Sequence, residues 1–160
     1  MTYAVPRMTP EEGEAWLGLL RVCNLLPSEL DAQLSRDSGM THYEFGLMSY
    51  LRAMPESTAS MTEIAEATNA TLPRVSHVCR RLEGRGLVEK SISAADRRVS
   101  MATLTAAGRR ELIRATPRHI ATARRLVIDA LSPEDLAHLS RITAILGKNL
   151  DPSHRFGPRG

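Results

Sequence analysis

The chain has 160 residues, 42% of them apolar and 24% charged, with a net charge of +3. That length suits one compact domain. No apolar run approaches the ~18 residues of a membrane span, and the N-terminus lacks a signal peptide's charged and apolar regions, so a cytoplasmic protein without a membrane partner is expected. Two cysteines, Cys23 and Cys79, exclude a disulfide framework, and five scattered histidines exclude a helical i, i+4 metal site, so neither metal nor cofactor is expected.

The elements follow in chain order. Thr9-Pro-Glu-Glu12 is a capping box with proline at the first helical position. It predicts a helix over 10–35, with Trp16, Leu19, Leu20, Cys23, Leu26, Leu30 and Leu34 on one stripe and a kink or break at Pro27. Thr41-His-Tyr-Glu44 opens a second helix over 41–54, turning Phe45, Leu47, Met48 and Leu51 inward. "PESTAS" (55–60) reads as a loop. Ser60-Met-Thr-Glu63 starts a short helix over 60–68, and Asn69-Ala70 makes a tight turn, since Asn tolerates the left-handed conformation. A helix over 71–85, capped by Thr71 and ended by Gly86, completes a helix-turn-helix.

Strand-like runs at 87–92 and 99–104 flank "SAADRRVSM" (93–101) and form a hairpin. A long helix over 105–131, bent at Pro117, and a last helix over 132–150 follow. The tail "DPSHRFGPRG" (151–160) reads as flexible. The fold class is mainly α with a small β-hairpin wing, α-α-α-α-β-β-α-α, a winged helix-turn-helix.

Charge is unevenly placed. Residues 1–70 hold 4 basic against 10 acidic residues, 71–118 hold 11 against 4, and 119–160 hold 6 against 4. An arginine-preferring genome explains why 19 of the 21 basic residues are Arg, but not their clustering. A basic middle segment calls for an anionic partner. On a helical wheel Val75, Val78, Cys79 and Leu82 share one face of the 71–85 helix. Pro73, Arg74, His77, Arg80 and Arg81 lie opposite, with Ser76 at the margin. Such a face suits a major groove, where Arg bridges guanine O6 and N7. At the hairpin tip, Asp96 is placed to orient the Arg98 guanidinium for an adjacent minor groove, leaving Arg97 to meet phosphate.

At this point the chain resembles the MarR family of bacterial winged-helix regulators. The matching residues are "MTEIAEATNATLPRVSHVCRRLEGRGLVEKSISAADRRVSMATLTAAGR" (61–109), with "RRLEGRGLVEK" and "DRRVSMATLTAAG" as the most specific stretches. The flanking helices match in length and order, so the resemblance spans about residues 10–149. It implies a homodimer joined through the N- and C-terminal helices (10–35 and 117–150), with a winged-helix DNA-binding lobe over 41–116. It also implies a pseudo-palindromic double-stranded DNA operator, and repression as the output.

Carried over residue by residue, the resemblance makes Thr71, Arg74 and Ser76 contacts of the recognition helix, and Asp96 and Arg98 those of the wing. The chain departs from the family at His77, where Arg is frequent, and at Pro73, where a small polar residue is frequent. Both departures bear on the operator sequence. Family members respond to small phenolic or anionic ligands, for which Trp16, His42, Tyr43 and Met48 are the candidates here, although Trp16 and Met48 also suit a core. Some relatives sense oxidants through a cysteine near the N-terminus. Cys23 is the counterpart, but its apolar neighbours would blunt the thiol. A winged helix used only for protein interaction is the remaining alternative. No Ser/His/Asp, HExxH, P-loop or Rossmann pattern is present, so no enzyme is expected.

Overall fold

A computed structural model describes residues 7–153, 155 and 156; the rest of the expected tail lies outside the described residues. The elements are α1 (Pro10–Ser38), α2 (His42–Ala53), β1 (Thr58–Ser60), α3 (Met61–Ala67), α4 (Leu72–Gly84), β2 (Val88–Ile92), β3 (Ser100–Leu104), α5 (Ala106–Leu126) and α6 (Pro133–Leu150). Short 3-10 turns at Pro55–Ser57 and Ile128–Ala130 lie between α2 and β1 and between α5 and α6.

The helix starts form as the sequence dictates. Thr9, Thr41 and Ser60 each accept from the backbone N–H three residues on, and the glutamates at those positions accept from the cap's own N–H. Each box satisfies two N–H groups that the helix itself leaves without partners. Asn69 takes φ 47° in the turn between α3 and α4, and Gly86 takes φ 69° just past α4. Thr71 is the N-cap residue of α4, but its side chain makes no capping hydrogen bond, unlike the cap expected of it.

Three expectations are corrected. "PESTAS" is not a loop throughout, because Thr58–Ser60 form an edge strand. The sheet order is β1-β3-β2, with Thr58 opposite Thr103, Ala59 opposite Ala102 and Ser60 opposite Met101. The Thr58 and Thr103 hydroxyl oxygens lie 2.8 Å apart, so this polar strand is held by its partner rather than by apolar alternation. The first helix runs through Pro27 to Ser38 as one unbroken helix. Both Pro27 and Cys23, whose carbonyl loses its usual N–H partner there, are exposed on their own chain, so the interruption lies outside that chain's core. The long fifth helix ends at Leu126 and gives way to the 3-10 turn before Leu131.

Among the described residues, every buried apolar residue lies between Leu30 and Ala115, including Leu34, Met40, Leu47, Leu51, Ile64, Val75, Leu82, Val88, Leu104 and Leu112. Outside that span the chain covers little of its own apolar surface. Trp16, Leu17, Leu19, Leu20, Val22 and Leu25 on α1, and Leu139, Ile142, Ile145 and Leu150 on α6, are exposed. Contiguous apolar surface of this kind marks an interaction face. Among the described residues, no helix is long and apolar enough to cross a membrane.

Candidate nucleic-acid interface

Helix α4 seats itself by Val75, Val78, Cys79 and Leu82, all buried. Burial pushes the Cys79 thiol up to about 11, so it stays protonated and unreactive. Thr71, Pro73, Arg74, His77 and Arg80 are exposed on the other side, and Ser76 is half-buried between the faces.

Ties from the α1–α2 region, polar and aromatic, hold the helix in place. Arg81 Nε donates to Glu44 Oε1 at 2.7 Å, while Glu44 Oε2 accepts from the Thr41 N–H at 2.8 Å. Glu44 is 1% exposed, so this carboxylate is a buried anchor for both helices. Arg85 Nη1 donates to the Gly39 carbonyl at 3.0 Å. Arg81, read from the wheel as facing a groove, is therefore corrected: its guanidinium is engaged by α2.

The third tie is aromatic. Arg74 Cζ lies 4.4 Å from the centroid of the Tyr43 ring, a cation–π contact. The Thr68 hydroxyl donates to the Ile64 carbonyl at 2.6 Å, so the Tyr43 hydroxyl, 2.9 Å away, is the donor to Thr68 Oγ1.

The wing turn is wired by its own side chains. Asp96 Oδ1 accepts from the Arg98 backbone N–H at 2.9 Å, and Ser93 Oγ accepts from the Ala95 N–H at 3.3 Å. This corrects the expected Asp96–Arg98 ion pair. The aspartate fixes the turn's backbone, and the guanidinium is left unpaired. Arg80, Arg97 and Arg98 take part in none of the ion pairs among the described residues.

Between helix and wing lies a cavity of about 290 Å³ that Ser76, Lys90 and Arg98 share with Leu72. Arg74 is not in it and sits on the flank toward α2. Lys90 escaped the sequence reading; its place on a short strand gives no sign that it shares a cavity with the recognition helix.

The four effector candidates do not converge in one chain. His42 and Tyr43 line a cleft of about 380 Å³ with Gly46, Tyr50, Thr68 and Phe156. Met48 is fully buried in the core. Trp16 is 47% exposed near the start of α1, about 30 Å along that helix from the turn before His42. Cys23 is exposed rather than buried by its own stripe. Burial lowers the pKa of His42, with Asp31 partly offsetting it, and lowers that of His119, with His42 adding to the effect. The two rings are 5.5 Å apart, and Phe45 lies 4.4 Å from His119.

A helix-turn-helix whose second helix shows cations beside an arginine-tipped hairpin defines a winged-helix DNA-binding protein. The comparisons agree with that class. A model described as the MarR family matches residues 38–99. The crystal structure of Sco3205, a MarR family transcriptional regulator from Streptomyces coelicolor in complex with DNA, is 36% identical over 95% of each chain, with a TM-score of 0.88. AbsC, another MarR family regulator of that organism, is 30% identical over 93% of this chain and 100% of its own, with a TM-score of 0.86. BpsR of Bordetella bronchiseptica, whose DNA binding is regulated by 6-hydroxynicotinic acid, shares the fold at 22% identity, covering 89% of this chain and 98% of its own, with a TM-score of 0.74. No curated protein sequence matches the chain. The chain belongs to the MarR family of winged helix-turn-helix transcriptional regulators. It is a transcription factor, not an enzyme.

Proposed function

We propose that this regulator is a repressor that binds a pseudo-palindromic operator as a homodimer and is released by a small aromatic or anionic effector. The observation that carries the DNA reading is the set of guanidinium groups without carboxylate partners on α4 and the wing. Thr71, Arg74, Ser76, His77 and Arg80 face the major groove. Arg98, set by the turn that Asp96 closes, reaches the minor groove, and Arg97 meets phosphate. Thr71 suits this role because its hydroxyl is not spent on capping its own helix.

In this reading residues 41–116 are the DNA-binding lobe, and 10–35 with 117–150 are the dimerisation region, whose exposed apolar stripes cover one another between chains. Cys23 then lies under the partner, which disfavours an oxidant-sensing role. The effector occupies the cleft of His42 and Tyr43. Its support is the cleft's half-buried aromatic and hydroxyl lining, together with the example of BpsR.

The test is binding to the DNA upstream of the protein's own gene as a function of salt. The log of the affinity should fall by about 0.9 per phosphate neutralised, times the log of the salt concentration. Arg98→Ala should bind more weakly while sedimenting as the same dimer. Unchanged affinity overturns the assignment of the wing.

A further inference from the structure

The first turn of the recognition helix is apolar. Between Thr71 and Arg74 stand Leu72 and Pro73, both exposed, Leu72 at 49%. Among the described residues the other exposed large apolar side chains lie on α1, α5 and α6, apart from Met8, Ile92 and Phe156. Leu72 is the one on α4; it stands one turn ahead of the buried stripe that begins at Val75, and about half of its surface stays open. Two cations share its cavity, Lys90 and Arg98.

Neither Leu72 nor Pro73 carries a side-chain donor or acceptor, and Pro73 has no N–H. They cannot read guanine, cytosine or adenine by hydrogen bonds. The first residues of a recognition helix are the ones that meet base edges. The apolar group a base pair presents in the major groove is the thymine 5-methyl. Cations that hold phosphates would bring an apolar turn and a methyl group together, and water would be excluded from both.

We propose that Leu72 and Pro73 read the 5-methyl group of a thymine in each operator half-site. The inference rests on the placement of α4 in the major groove and adds the identity of one base to it.

The test starts from a duplex that the full-length protein selects out of a random-sequence pool. Each thymine is then replaced singly by deoxyuridine, which removes the methyl and keeps every hydrogen bond. One position per half-site should lose affinity roughly fourfold, and replacing both should lose about 15-fold, as expected for one buried carbon each. Leu72→Ala and Pro73→Ser should bind the parent duplex more weakly and no longer separate thymine from uracil. Arg98→Ala should weaken binding but keep the thymine-to-uracil ratio. A duplex in which no uracil changes affinity by twofold overturns the inference alone, as does undiminished discrimination in both Leu72→Ala and Pro73→Ser. A selection that enriches no duplex overturns the DNA-binding reading, and this inference with it.

Discussion

Removing the Glu44 side chain tests how the recognition helix is held. In Glu44→Ala the Thr41 N–H loses its acceptor and Arg81 Nε loses a charge-assisted bond of 2.7 Å. Breaking a fully buried ion pair costs about 3–5 kcal/mol, and a hydrogen bond to a charged group contributes about 1.5–3 kcal/mol. Glu44 is buried, but the side chains of Arg81 and Arg85 are 48% and 34% exposed, so both guanidinium groups can be rehydrated once the carboxylate is gone. The expected loss is therefore about 2–3 kcal/mol. For a chain of this length that is a fall in Tm of about 5–10 °C. Glu44→Gln keeps one acceptor oxygen for the two donors and turns its NH2 toward the other, so it should lose part of the same stability, and less than Glu44→Ala. Thermal melts at one fixed protein concentration, for Glu44→Ala, Arg81→Ala and the double variant, yield the coupling energy between the two side chains. A melt within about 1 °C of wild type, or a coupling below about 0.5 kcal/mol, would refute the reasoning.

Two further outcomes follow from the core and the α1–α2–α5 junction. A Cβ added at Gly108 would collide with the Leu87 carbonyl oxygen and crowd Leu104 Cδ1. Since backbone cannot swing aside as a side chain can, Gly108→Ala should lower stability by at least about 1–3 kcal/mol, read from the urea midpoint; an unchanged midpoint contradicts the close approach of α5 to that strand end. His42 and His119 have folded-state pKa values below the usual 6.5, through burial first. The unfolded chain therefore takes up their protons before the folded one does. Stability should be full above about pH 6.5 and fall as the pH drops below it. The groups facing them are Asp31 and Gln33 on α1, with Asp37 bonded to Gln33 and 3.7 Å from Arg118 on α5. Tm measured from pH 7.5 down to 5.5 should drop, and drop less in His119→Gln; the same pH slope in wild type and variant would remove His119 as a cause.

Much of the fold was legible because its signals are local. Each capping box is a contact between residues three apart, so four letters suffice to announce it, and all three form. The helix-turn-helix was legible for the same reason: Asn69 and Gly86 occupy the left-handed conformations their positions call for. What escaped was non-local. Strand β1 exists because β3 is beside it, 45 residues away, and nothing in Thr-Ala-Ser itself announces a strand. The wheel shows which side of α4 Arg81 lies on but not that Glu44, 37 residues earlier, waits there. At the wing, the triplet Asp96-Arg97-Arg98 advertises an ion pair, yet the carboxylate prefers the nearer backbone N–H, because a turn is a shorter reach than a flexible guanidinium. Among the effector candidates, the adjacent His42 and Tyr43 do share a cleft, while Trp16, expected near the junction of the first two helices, stands at the far end of α1.

Helix α6 makes the amount of protein a determinant of its shape. None of its 18 residues is buried by its own chain. An isolated helix of that length is only marginally stable in water. On the dimer reading it is ordered by a second copy, so newly made chains would carry an unfinished C-terminal helix until their concentration passes the dimer's dissociation constant. Dilution below that point would loosen the C-terminal helix first and leave the lobe between Leu30 and Ala115, which holds its own core, folded.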